Sequence, residues 1–112
     1  MSEQDQSPVK AAEVKQLVDL LQYQDSSIVS RVLLKNKGGT VTLFAFDAGE
    51  GLSEHTAPFD ALVVVTDGDA EVEIAGESFR VRQGETIILP ANRPHAVKAT
   101  TKFKMLLIMI RA

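Results

Sequence analysis

The stretch G-L-S-E-H-T-A-P-F-D-A-L-V-V-V-T-D-G, residues 51–68, decides how the chain is read. A second stretch, G-E-T-I-I-L-P-A-N-R-P-H, residues 84–95, answers it. In each, a glycine leads into a turn and a histidine lies close to a short run of β-forming residues. The protein has two histidines, His55 and His95, and each falls in one of these stretches. The functional reading turns on whether they meet in one pocket.

Working outward, period-two alternation dominates. Residues 28–34 are rich in β-branched and aliphatic side chains and read as a strand. The Lys-Asn-Lys-Gly-Gly run at 35–39 has hairpin chemistry, because Asn and Gly tolerate positive φ. In residues 40–46, Thr40, Thr42, Phe44 and Phe46 share one side, and Val41, Leu43 and Ala45 the other. Residues 61–66 are continuously apolar, as a strand covered on both faces requires. Residues 71–74 alternate charged and apolar, and short strands follow at 78–82, 86–89, 95–99 and 103–111. About nine or ten short strands at this spacing predict an all-β sandwich or barrel, in which a jelly roll hides its strand edges. Residues 9–23 are ambiguous. The spacing of Val14, Leu17, Val18 and Leu21 predicts a short helix, and a short strand with one turn capped at Asp19 fits as well. Residues 1–8 are polar and read as a frayed tail, leaving 9–112 as one domain.

Composition narrows the class. A chain of 112 residues fits one domain and buries roughly two-thirds of its unfolded surface, so a core forms without staples. The absence of cysteine excludes disulfides, thiol nucleophiles and thiolate metal sites. A net charge of -3 and the lack of tryptophan argue against nucleic acid as a partner. The start, Met-Ser-Glu-Gln-Asp-Gln-Ser, lacks the basic and apolar regions of a signal peptide, and the longest apolar run, 105–110, is far too short to span a bilayer. A soluble, cytoplasmic protein without membrane contact is expected. Residues 105–110 and 28–34 are apolar at both parities, so the outward face of those strands needs cover from the N-terminal segment or a second subunit.

The two histidine stretches resemble the paired motifs of the cupin superfamily, of the small RmlC-like kind. The first cupin motif runs from a glycine through His-x-His and Glu to a closing glycine. Aligned on Gly68, it places its leading Gly at Gly49, its first His at His55, its second at Ala57 and its Glu at Ala61. The second motif gives Gly84, Pro90, Asn92 in place of Gly, His95, and Ala99 in place of Asn. The resemblance implies a double-stranded β-helix, a jelly-roll barrel with a short N-terminal segment here. It also implies a homodimer. Metal-binding cupins use three histidines and a glutamate to hold a divalent iron, manganese, nickel or zinc, and here two of those positions are Ala57 and Ala61.

Two readings of the pocket follow. In one, His55 and His95 bind a metal with Asp60 as third ligand, for a dioxygenase or isomerase. Asp60 sits one residue before the glutamate position, so strict alternation turns it away unless a bulge after Pro58 intervenes, and Glu54 has the same parity problem beside His55. In the other, the histidines are hydrogen-bonding or acid–base groups in an apolar pocket that binds a small molecule without metal. Its expected walls are Phe44, Phe46, Ala57, Ala61, Val63 and Met105, with Phe59 at the mouth. No tyrosine stands in the motifs to complete an acid–base pair, since the one tyrosine is Tyr23. A third reading, a non-catalytic structural or sensing module, predicts satisfied histidines in a filled barrel.

Overall fold

The alternating runs become strands. The computed structural model describes residues 9–111, so the expected frayed tail at 1–8 lies outside the described residues. Nine strands are present among them: β1 Ile28–Asn36, β2 Gly39–Phe46, β3 Gly51–His55, β4 Asp60–Asp67, β5 Asp69–Ile74, β6 Glu77–Arg82, β7 Thr86–Leu89, β8 His95–Lys98 and β9 Phe103–Ile110. They form two antiparallel sheets, one of five strands in the order β1-β2-β9-β4-β7 and one of four in the order β3-β8-β5-β6. This is the expected all-β jelly roll. The two sheets pack face to face rather than closing into a continuous barrel. No helix of the described residues is long and apolar enough to cross a membrane.

The inward parity of both sheets makes one core. Phe46, Val63, Val65, Val72, Phe103 and Met105 are all buried there. Phe46 stacks on Phe103 with ring centroids 4.6 Å apart, and on Phe44 at 5.8 Å. Offset aromatic pairs of this kind add about 0.5–1.5 kcal/mol beyond the area they bury. Gly68, which closes the first motif, has φ +71, and a Cβ there would stand 2.4 Å from the Lys102 carbonyl oxygen. No other residue type turns the chain from β4 to β5 so close to that backbone.

The outward face of the larger sheet has its own cluster, Leu21, Val29, Leu43 and Ala45, with Leu17, Leu20, Tyr23, Leu33 and Leu106 against it. The N-terminal segment therefore covers part of that face, as expected. It does so as a strap and not as a helix: only Leu17–Asp19 is helical, a single 3-10 turn without a side-chain cap. Val14, counted on the apolar stripe, points wholly into solvent at 102% exposure. Two of the strap's carbonyls accept from side chains of the sheet. Lys104 Nζ donates to Val18 O at 2.7 Å, and an Arg31 guanidinium nitrogen donates to Leu20 O at 2.9 Å. The Tyr23 hydroxyl donates to the Asp67 carboxylate at 2.5 Å. Burial and then that carboxylate hold the phenol well above its usual pKa.

The strap leaves a strip uncovered. Cross-strand pairing lines up Leu34, Val41, Ile108, Leu62 and Ile88 in one row across all five strands. Leu34 and Ile88 are 63% and 60% exposed. The apolar run on β4 is thus buried on its inward side and only half-buried on its outward one.

Leu21, 1% exposed, anchors the strap. Leu21→Ala is expected to lower the unfolding free energy by about 2–5 kcal/mol. Val14→Ala is expected to stay within about 0.5 kcal/mol. Urea unfolding midpoints measure both.

Candidate functional site

Strands β3 and β8 are neighbours in the smaller sheet, and their register pairs His55 directly with His95. The imidazole rings meet edge to face, with centroids 4.5 Å apart and planes at 72°. The sequence left open whether the two histidines meet; they meet as a cross-strand pair. His95 is buried, at 6% exposure, and His55 lies exposed at the mouth.

Each ring is oriented in the same way. His55 Nδ1 lies 2.9 Å from the Ser53 carbonyl oxygen, and His95 Nδ1 lies 3.1 Å from that of Arg93. A carbonyl oxygen only accepts, so each Nδ1 carries the hydrogen. In the neutral ring Nε2 is then a bare lone pair. Two imidazoles are held in the tautomer that offers Nε2 to a proton, a donor or a metal. Burial, and then the neighbouring His55 charge, pull the His95 pKa below its ordinary value, while the Arg93 hydrogen bond opposes them.

Two loops fix this geometry. The Asn92 N–H donates to Ala57 O at 2.8 Å, and the Ala91 N–H donates to Asp60 Oδ1 at 2.9 Å. Ala75 N–H donates to Pro94 O at 2.8 Å, tying the second loop to β5 as well. Asn92 replaces the motif's glycine and has φ +64, a left-handed conformation that asparagine tolerates best after glycine. Asp60, the expected third ligand, is thus a loop clamp whose carboxylate is engaged with the backbone of residue 91.

The histidines open onto a cavity of about 50 Å³ between the two sheets. Ala57, Ala61 and Met105 line it, as expected, and Phe59 is part of the wall. Phe44, Phe46 and Val63 do not line it. They have the expected inward parity but pack in the core, where Phe44 is paired with Met105 and Phe46 with Phe103. Leu52, Leu89, Val97, Leu107 and Met109 line the cavity without having been singled out. Met109 shares its parity with Met105 on β9, and that alternation was the available signal. A wider hollow of about 570 Å³ runs along β3 and β8, bordered by Glu50, Glu54, Glu73 and Lys98. It is open to solvent and includes neither histidine, whereas both histidines line the smaller cavity.

The four-ligand divalent site that the cupin resemblance implies does not fit these residues. Among the described residues no group of three or more His, Cys, Asp or Glu side chains could hold a metal ion. Ala57 and Ala61 face the cavity where a histidine and a glutamate would coordinate, and alanine offers no donor.

A family model described as a cupin domain matches residues 42–111. A conserved protein of unknown function from Streptococcus pyogenes is 33% identical, with 100% of this chain and 96% of that one covered and a TM-score of 0.89. A Cupin 2 conserved barrel domain protein from Leptotrichia buccalis is 43% identical over 84% of this chain and 46% of its own, with a TM-score of 0.81. A cupin superfamily protein from Desulfitobacterium hafniense shares the fold at 22% identity, with a TM-score of 0.88 over 96% of this chain and 98% of that one. No curated protein matches the chain.

The depressed His95 pKa has a consequence for stability. Above the unfolded value of about 6.5 both states are neutral at this ring. As pH falls through that value the unfolded chain takes up the proton first, so stability contributed by the neutral ring is lost toward acid. NMR titration of the ring protons is expected to give His95 a midpoint below about 6.5, with the urea midpoint falling in the same acid window.

Proposed function

The chain belongs to the cupin domain family, and on that premise we propose that it binds a small ligand at the two Nε2 atoms of the His55–His95 pair. The observation that carries this reading is the shared tautomer: both Nδ1 atoms are committed to backbone carbonyls, which leaves both Nε2 lone pairs for a ligand. The walls are apolar apart from the histidines. A few convergent polar atoms in an apolar cavity are the usual constitution of a ligand site. The volume, about 50 Å³, suits a ligand of a few heavy atoms rather than a sugar or an aromatic acid; one water occupies about 30 Å³ of liquid. This separates the reading from a scaffold with a filled barrel, in which neither the cavity nor the free ring nitrogens would be needed. A dioxygenase or isomerase built on a four-ligand metal is not favoured, because two of its ligands are alanine.

The test is ¹⁵N-histidine NMR with a panel of small carboxylic acids and alcohols of about two to four heavy atoms. Saturable movement of the His95 Nε2 signal is expected, with binding weakened by about tenfold or more in His95→Ala. Probes that leave both rings unmoved would favour the filled scaffold.

We also propose that a second copy covers the uncovered strip on the larger sheet. A flat row crossing five strands is self-complementary when a twofold axis brings it against itself, and a two-fold dimer is the commonest closed assembly. Light scattering on a sizing column is expected to give a dimer mass. Ile108→Glu, at the centre of the row, is expected to give a monomer that keeps the His95 ring signals.

A further inference from the structure

Most of the wall around the two histidines is carried by strands, and the pairing of the strands fixes it. Among the residues that line the cavity, Phe59 is the one large side chain that no strand carries. It stands on the loop between β3 and β4, with Ala57 before it and Ala61 after it in the same wall. The loop therefore presents one aromatic ring between two short side chains.

The backbone under this ring has little freedom. Ala57 O accepts from the Asn92 N–H at 2.8 Å, and Asp60 Oδ1 accepts from the Ala91 N–H at 2.9 Å. Pro58, between them, has its own φ fixed by its ring. Asp60 is also paired with Ile110 at the end of β9. The side chain has more freedom. Phe59 is only partly buried, so its ring divides between the cavity and solvent. Over the ring stands the Arg111 guanidinium, 5.5 Å from the centroid. Arg111 is held in turn by its backbone N–H, which donates to Gly38 O at 2.8 Å. A cation over an aromatic face at an exposed site is a weak tie, enough to favour one rotamer without locking it.

We infer that Phe59 is the size-selecting residue of the histidine cavity, a ring latched by Arg111 that confines the ligand to a few heavy atoms. This rests on the reading that the Nε2 atoms hold a ligand, and it names the ligand's class: a short-chain hydroxyl compound. Its O–H donates to a bare Nε2, and its few carbons meet the apolar wall. Larger molecules are refused at the ring. The strand-borne walls cannot part without breaking close packing between the sheets, so the room in a cavity of about 50 Å³ is set by the side chain at position 59.

The experiment titrates the ¹⁵N-histidine-labelled full chain with ethanol, isobutanol and benzyl alcohol. In the wild type, ethanol is expected to move the His95 Nε2 signal and benzyl alcohol to leave it still. Phe59→Ala opens an apolar space of phenyl size, and spaces of that kind take up benzene-like molecules. Benzyl alcohol is expected to move the same signal in that variant, with an affinity at least about tenfold above the wild type's. Phe59→Leu keeps an apolar wall and decides the matter if Phe59→Ala does not fold: it is expected to admit isobutanol and still refuse benzyl alcohol. Arg111→Ala, which removes the latch and leaves the ring, is expected to speed the exchange of bound ethanol by about two- to fivefold. Benzyl alcohol bound as tightly by the wild type as by Phe59→Ala overturns the inference, and so does a size limit that neither substitution at Phe59 changes. Ethanol exchange unaltered in Arg111→Ala overturns the latch. If ethanol moves the His95 signal while the limit stays fixed in the Phe59 variants, size selection by Phe59 falls and the ligand-binding cavity stands. If no alcohol moves the signal in any of these proteins, both fall.

Discussion

A sheet whose central strands are apolar at both parities must be covered on both faces, and that constraint organises this molecule. Strands β2, β4 and β9 carry Leu43, Leu62 and Leu106 outward as well as Phe46, Val63 and Met105 inward. The inward face is covered by the smaller sheet, and the result is the core. The outward face is covered in part by residues 17–23, which lie across it as an irregular strap with one 3-10 turn. The strap is fixed by polar contacts as much as by packing: Lys104 and Arg31 reach out of the sheet to the strap's own carbonyls. A buried lysine is tolerated because its ammonium donates to the Val18 carbonyl and lies 5.1 Å from the Tyr23 ring centroid.

The candidate site depends on that frame at one remove. Covering both faces holds the larger sheet in place, and the larger sheet supplies the floor of the cavity through Ala61, Leu89, Leu107 and Met109. The smaller sheet supplies the histidines. Between them the loop at residues 90–94 is held by Ala57 O, by the Asp60 carboxylate and by Ala75 N–H. The two motif stretches are therefore bonded to each other as well as paired through β3 and β8. This rigidity is what a cavity of only about 50 Å³ requires, because a shift of one ångström would close it or separate the rings.

Ala57 and Ala61 change what the site can do without changing how it is built. Every backbone feature that would aim a four-ligand centre remains: the turn at Gly68, the left-handed residue at Asn92, and the loop before His95. What is gone is the donor chemistry at two positions. The residual site is small and mostly apolar, with one exposed and one buried imidazole.

The alternation of residues 40–46, 61–66 and 71–74 was enough to identify an all-β sandwich, because a period of two is a property of the chain alone. The fixed offsets around His55 and His95 resemble the cupin motifs, and that resemblance indicated which jelly roll. The motif resemblance placed Ala57 and Ala61 in the cavity, and Met105 was named among its walls. Parity marks which strand residues face inward. It could not say how deep along its strand each inward residue sits, so Phe44, Phe46 and Val63 were assigned to a cavity that Met109 and Leu107 in fact border. Nor could helical spacing at Val14, Leu17, Val18 and Leu21 reveal that the sheet would draw the segment out into a strap, because that outcome depends on contacts with residues far along the chain. The sequence by itself determined the strands, their faces and the two histidines. Only the tertiary structure decided that those histidines are cross-strand partners with both Nδ1 atoms bonded to backbone carbonyls and that Asp60 clamps a loop. Register, depth and hydrogen-bond partners are relations between distant segments, and they exist only once the sheets have packed.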